Sequence, residues 1–431
     1  MASSHLLLSR RFLPLFITQF LGALNDNFFK TAIVVLVTYR TSEEMGIKPQ
    51  TLVTISGALF ILPYIIFCAT AGKLADKFDK ARIARIIKLA EVFFMLLATV
   101  GFMFHLIGFL FAVLFCMGMH SAFFSPVKYA LLPDHLREEE LMEGNAYIEA
   151  GTFIATLLGT IAGGFVVLKS HGEAAVSLAV LAIALVGVCA SRFIPPATMR
   201  DPSVRVRFNV ALETWDILAY VAKRATLFRS TLANSWFWFV GITFVTQIAP
   251  FTKQIIGANE DVVTLFLTSF SVGIGVGSIA CGALLKGGLS TRYVAWSALG
   301  MSVFIFDLYA ASPHTLLEHH DTLLTVKEFL ASGTSVRMVL DLFMIAVFGG
   351  FYIVPLYAIL QKQSDPKHRA QVMACNNVMN AFFMVASALF ALGLFGLALS
   401  VAELFFIVGL LNTCVAIWLF MPQGRIEFSQ K

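Results

Sequence analysis

Charge is what this sequence has least of. Only 13% of its 431 residues are charged and 58% are hydrophobic, whereas a soluble domain carries about 25% charged residues. A soluble globule is thereby excluded, and lipid is the solvent the chain requires. The period-two alternation that a membrane β-barrel needs is also missing. Cysteines are few and unpaired in spacing: Cys68, Cys116, Cys189, Cys281, Cys375 and Cys414 each fall inside an apolar stretch. They read as small buried hydrophobes rather than a disulfide framework or a metal centre. No G-x-x-x-x-G-K-[ST] occurs, which argues against ATP as a direct energy source. No His is followed five positions later by Asp, so the H-x-x-x-x-D signature of acyl transfer is absent and the chain does not read as an enzyme. No cofactor, metal or nucleic-acid partner is expected. The run His319-His320-Asp321 lies in a polar loop and reads as solvated surface.

What is abundant is apolar bulk, with 42 Phe and 30 Gly and a mean hydropathy of +0.82. Large side chains suit lipid-facing surfaces, and small ones suit close helix crossings. A spanning helix needs about 20 mostly apolar residues. Twelve such segments are predicted, near 12–38, 51–72, 84–104, 106–131, 144–168, 173–194, 229–253, 261–285, 291–311, 337–361, 371–397 and 401–421. Arg10 and Arg11 precede a stretch longer than a signal-peptide core, with no A-x-A site, so the first segment reads as a retained span. About 24 of the 31 Lys and Arg residues lie at the ends of the chain or in loops after even-numbered spans, including Lys73–Lys88, Arg192–Arg229 and Lys362–Arg369. Both termini are therefore predicted to be cytoplasmic.

The sequence repeats itself. Gly72–Arg82, GKLADKFDKAR, follows span 2, and Gly282–Arg292, GALLKGGLSTR, follows span 8. Tyr129-Ala130-Leu131-Leu132 with Asn145 downstream is echoed by Tyr357-Ala358-Ile359-Leu360 with Asn376. Parallel repetition of six-span halves is the architecture of major facilitator transporters, which hold substrate near the bilayer midplane. The predicted fold is thus an all-α polytopic membrane protein of the major facilitator type, with twelve transmembrane helices in two six-helix pseudo-symmetric halves. The halves are residues 1–195 and 229–431, joined by a cytoplasmic linker at 196–228. In the first loop Gly72, Asp76, Lys77 and Arg82 form a candidate conformational switch: Gly72 permits close packing, and Asp76 can bond helix termini and cations across the gate.

Ionisable groups at membrane depth are costly and mark candidate sites. Span 1 carries Gln19, Asn25, Asp26, Asn27 and Lys30, with Asp26 and Lys30 one turn apart and able to pair. Either they line a central cavity, with Asp26 meeting a cationic headgroup or a proton, or they lock helix packing. In span 4, Ser125-Pro126 is expected to break the backbone hydrogen-bond ladder, with Lys128 just beyond it to meet a phosphate or to snorkel to the interface, and Tyr129 next to it. Asn145 and Glu149 in span 5 and Asn376, Asn377 and Asn380 in span 11 suit interhelical hydrogen bonds of a gate, or plain packing. Span 7 adds Trp236, Trp238 and Gln247. The GIGVG at 273–277 has no preceding strand, so it reads as close helix packing rather than a nucleotide loop.

Three motifs, QFLGALNDNFFK (Gln19–Lys30), SPVKYALL (Ser125–Leu132) and GGFYIVPLYAILQ (Gly349–Gln361), resemble those of the bacterial lysophospholipid transporter family of the major facilitator superfamily. The resemblance covers nearly the whole chain. It implies a flippase that carries lysophospholipids, such as lysophosphatidylethanolamine, from the outer to the inner leaflet of the inner membrane for a partner acyltransferase. It also implies headgroup-binding or gating roles for Asp26, Asn27, Lys128 and Tyr129. A cation expected inside span 7 is missing here, where the sequence reads GITFVTQIAP, so Lys30 is the expected partner of Asp26. The competing expectation is a proton-coupled major facilitator transporter of a soluble small molecule, with Asp26 as the proton site.

Overall fold

The computed structural model describes residues 6–37, 49–197, 206, 209–285, 292–313 and 323–421. His319, His320, Asp321 and positions 286–291 of the second loop repeat lie outside the described residues. Within them the chain is helical, apart from one isolated bridge between Ala258 and Leu324.

The first six membrane helices are α1 (Leu13–Leu36), α2 (Pro49–Lys77), α3 (Lys80–Met103), α4 (Ile107–His135), α5 (Leu141–Val167) and α6 (Gly172–Arg192). A shorter helix, α7 (Val210–Ala222), follows. The remainder are α8 (Ala225–Pro250), α9 (Glu260–Leu285), α10 (Arg292–Ala311), the short α11 (Val326–Leu330), α12 (Gly333–Gln363), α13 (Arg369–Gly396) and α14 (Val401–Phe420). Eleven of the described helices are long and apolar enough to cross a membrane. With 24 residues α1 spans about 36 Å at 1.5 Å per residue, enough for a hydrocarbon core of about 30 Å. Its polar run from Gln19 to Lys30 is what lowers its apolarity.

Helices pack mostly within two groups: α1 against α5 and α6, α2 against α4, α3 against α4 and α6; then α9 and α10 against α12, α8 against α13 and α10 against α14. The principal contacts between the groups are α2 with α13 and α5 with α9. Gly277, in the GIGVG run, lies against α12 so closely that a Cβ would sit 2.0 Å from the Val347 carbonyl oxygen. The run is a helix-packing surface, because only a residue without a side chain allows this approach.

Several helices run past the apolar stretches at one end. α4 continues through Pro126 and Pro133, so the break expected in the hydrogen-bond ladder at Ser125-Pro126 is confined to one bond. Proline there removes one N–H from the ladder without ending it. The carbonyl it leaves, that of Ala122, accepts a hydrogen bond from Cys68 Sγ of α2 at 3.2 Å. In α12, Pro355 stands in the same relation to the carbonyl of Phe351, which faces Cys281 Sγ of α9 at 4.0 Å.

Candidate transport site

Three contacts place the start of α1, the start of α5, the ends of α9 and α14 and the start of α10 on one face. They are Arg11 with Glu140 at 2.7 Å, a Gly282 Cβ position 3.0 Å from Ala146 Cβ, and the Trp296–Phe420 ring pair at 5.1 Å. On this terminal face the two groups of helices meet. Asp76, at the end of α2, accepts hydrogen bonds from the backbone N–H groups of Ala370 (2.9 Å) and Gln371 (3.0 Å) and from Gln371 Nε2 (3.0 Å). These are first-turn donors of α13, which have no acceptor within their own helix and which carry the positive end of its dipole. At Gly72, one turn earlier, a Cβ would lie 2.7 Å from Ala374 Cβ and 2.8 Å from the Ala370 carbonyl oxygen. A side chain there would hold the two helices apart.

The same face is closed by Asp134, which pairs with Lys80 at 3.0 Å and with Arg369 at 3.5 Å. Lys362 pairs with Glu138. Just inside, Asn145 Nδ2 donates to Gln361 Oε1 at 2.7 Å, and Gln361 Nε2 donates to Asn145 Oδ1 at 3.0 Å and to the Tyr129 carbonyl at 3.1 Å. Asn377 Nδ2 donates to Ser125 Oγ at 2.9 Å. Across this layer α7 lies against α2, α8 and α13; its buried Glu213 pairs with Lys73, and its Tyr220 stacks on His368 at 4.9 Å.

Deeper between the groups, the Tyr129 and Tyr357 rings stack at 4.3 Å, and Tyr129 Oη donates to Glu149. Lys128 interacts electrostatically with Glu149 and Asp26, and its ammonium lies 4.7 Å from the Tyr129 ring centre. The facing wall on α8 and α13 is uncharged. With the Asn380 amide oriented to satisfy its neighbours, its oxygen accepts from Trp238 Nε1 and Asn376 Nδ2 at 3.1 Å and its nitrogen donates to Ser235 Oγ at 2.9 Å. Phe153 of α5 stacks on Trp238 at 6.3 Å.

The remaining sequence-selected residues divide clearly. Gln19 accepts from Thr152 Oγ1 at 3.0 Å, Asn27 Nδ2 donates to Thr156 Oγ1 at 3.2 Å, and Asn25 Nδ2 donates to Glu91 Oε1 at 2.8 Å. All three tie α1 to α5 and α3. Asp26 accepts from Ser121, and Lys30, expected as its partner, lies 5.3 Å from the Phe60 ring centre. The two remain electrostatic neighbours, but no ion pair joins them among the described residues. Gln247 sits on α8 more than two turns past Trp238, and Arg82 is exposed. Lys77 lies 5.7 Å from the Phe78 ring centre.

A model of the Major Facilitator Superfamily matches residues 15–312. The chain belongs to this superfamily. Major facilitator architecture also appears in the solved structures it resembles. The human organic anion transporter MFSD10 superposes with a TM-score of 0.72 at 14% identity, covering 94% of this chain and 99% of that one. The E. coli fucose:proton symporter FucP superposes with a TM-score of 0.71 at 11% identity, covering 97% and 98%. In sequence, the lysophospholipid transporter LplT of Salmonella typhi is 27% identical over 401 residues, 91% of this chain and 89% of the relative. The chain is a multi-pass membrane transporter, not an enzyme.

Within this major facilitator frame, sequence reasoning missed one group. Lys88 was expected in the loop after span 2, yet α3 begins at Lys80 and buries Lys88 in its third turn, bonded to Glu91. His120 Nε2 lies 3.3 Å from Glu91 Oε2. The available signal was Glu91 itself, an acid inside an otherwise apolar run, three residues after Lys88.

Proposed function

We propose that this chain is a lysophospholipid flippase of the bacterial inner membrane. It moves lysophospholipids such as lysophosphatidylethanolamine from the outer to the inner leaflet by rocking residues 1–195 against 229–431, with 196–228 as the link. The observation that carries the reading is the placement of Asp26, Lys128 and Glu149, two acids and one cation, at membrane depth beside an uncharged amide and aromatic wall. A zwitterionic headgroup needs an anion for its amine and a cation for its phosphate, and a charge-assisted bond to each is roughly twice as strong as a neutral one. Lys128 receives the phosphate, and Asp26 and Glu149 face the amine. The name carried by the LplT relatives supports the same substrate class.

The terminal face is the cytoplasmic one, in keeping with the cation bias of its loops. Asp76, Gly72, Asn145, Gln361 and Asn377 then form the inner gate. The product, a lysophospholipid delivered to the inner leaflet, is the substrate of a partner acyltransferase. Reconstitution tests the reading: liposomes containing the protein are expected to move labelled lysophosphatidylethanolamine between leaflets, and Asp26→Ala and Lys128→Ala to slow that movement. Unchanged rates in both variants reject the site. Uptake of a water-soluble compound driven by a pH gradient, without lipid movement, rejects the substrate.

A further inference from the structure

Beneath the headgroup site lies a second set of charged side chains that substrate contact does not require. Glu91, fully buried on α3, receives bonds from Lys88 and from Asn25 of α1, and His120 of α4 stands 3.3 Å from it. Lys88 is held in place between helices: an ideal Cβ at Gly187 of α6 would lie 2.8 Å from its Cε, and one at Gly22 of α1 would lie 3.5 Å from its Nζ. His120 is stacked beside Phe124 and also lies within electrostatic reach of Asp26, whose hydrogen bond comes from the adjacent Ser121. Asp26 Oδ1 and His120 Nδ1 are buried and make no hydrogen bond.

A histidine beside one buried carboxylate and within electrostatic reach of a second is a place for a proton, since histidine is the side chain whose charge ordinarily changes between about pH 5 and 8. The geometry points to a proton-binding site formed by His120, Glu91 and Asp26, linked through Asp26 to the headgroup site so that the proton and a cationic headgroup exclude one another. This rests on the lysophospholipid reading. The imidazolium is held by two anions, and a headgroup amine that takes Asp26 removes one of them while bringing a like charge close. By linkage the effect is mutual: a bound proton weakens the amine's hold by the same factor.

The other groups around the cluster do not duplicate this role. Facing Asp26 are Lys30 on α1, Tyr64 on α2 and Lys128 on α4. Cys68 lies beside Tyr64, and Lys128 is engaged with Glu149 of α5. Lys88 is already bonded to Glu91. Among the described residues His120 is the imidazole that contacts Glu91 and also lies within electrostatic reach of Asp26.

Calorimetric titration of the purified full-length protein with lysophosphatidylethanolamine, and separately with lysophosphatidylglycerol, tests the linkage. Affinity for the ethanolamine lipid is expected to be about tenfold weaker at pH 5.5 than at pH 8. The same comparison should be flat in His120→Gln, and the glycerol lipid, which has no amine, should show no such loss in the native chain. A pH-indicating dye provides a second readout that needs no variant: the ethanolamine lipid should release protons on binding and the glycerol lipid should not. Ethanolamine-lipid binding that is equal at both pH values, equally pH-dependent in His120→Gln, or unaccompanied by proton release overturns the linkage alone. No binding of either lipid at either pH overturns the lysophospholipid reading together with the linkage built on it.

Discussion

The thiol of Cys68 donates to the carbonyl of Ala122, the acceptor that Pro126 leaves without a backbone donor. The corresponding helices of the other group repeat the arrangement with Cys281, Phe351 and Pro355 at a looser 4.0 Å. Each is a proline inside a membrane helix whose orphaned carbonyl is met by a neighbouring helix, which is how such prolines are tolerated in lipid.

Replacing Cys68 should therefore be felt. Cys68→Val removes the donor and is expected to lower stability by about 1 kcal/mol, whereas Cys68→Ser keeps a donor and should stay close to the native chain. Cys281→Val should cost less than Cys68→Val, because its sulfur stands farther off. Thermal unfolding of the three variants in detergent ranks them.

At the terminal face, Asp76→Ala leaves two first-turn N–H groups of α13 without their acceptor. A loss of about 1–3 kcal/mol of closure is expected, roughly a five- to 150-fold shift toward the state open on that face. Spin labels at Arg82→Cys and Lys367→Cys, both exposed, with Cys189 and Cys414 changed to Ser, would report it. The long-distance population should grow when Asp76 is removed, and an unchanged distance distribution would deny Asp76 a part in holding this face shut.

The two buried acids and the cation at the proposed headgroup site should not be equivalent in exchange. Lys128→Arg keeps the charge and should retain part of the transport rate. Lys128→Ala should lower it at least about tenfold, the equivalent of 1.4 kcal/mol. Glu149→Gln should weaken an amine-bearing lysolipid more than one lacking an amine. Leaflet-transfer rates for the two lipids side by side decide this.

Glu213 of α7 is fully buried against Lys73. Removing one partner of a buried pair costs stability because the remaining charge loses its counter-ion; here the loss is partial, since Asp216 of the same helix also stands 3.6 Å from Lys73. Glu213→Ala is expected to loosen α7 from α2, read as faster proteolysis around residues 206–224, while Glu213→Gln should loosen it less. Equal cleavage of the native chain and both variants would mean that packing at Ile217 and Val221 holds the helix alone.

Much of the fold was legible because lipid imposes one solution on an apolar run of about 20 residues, and twelve runs with cations clustered at one side leave little choice. Asp76 and Gly72 could be singled out from the repeated loop. Lys88 and Lys80 could not be placed, because hydropathy sees a cation near a span end and cannot tell an interfacial lysine from one turned inward toward Glu91 or Asp134. Pairings across helices were equally hidden. Asp26 and Lys30 are one turn apart in sequence, yet Ser121 and Phe60, from two other helices, take their places as partners. The roles of Tyr357 and Gln361 depend on contacts with Tyr129 and Asn145 more than 200 positions away, which local pattern does not encode.

At membrane depth the charged groups of the site sit on α1 to α5, whereas α8 and α13 present amides, hydroxyls and an indole. Sliding one bundle past the other consequently never drags a cation from its anion where no water can follow, a separation that would cost several kcal/mol for each ion. What is surrendered at that depth is a set of neutral bonds worth about 1 kcal/mol apiece, which entering water restores. Under the proposed rocking, reorientation is thus electrostatically cheap whether the carrier is loaded or empty, and the strong field proposed to grip a headgroup rides intact within a single bundle.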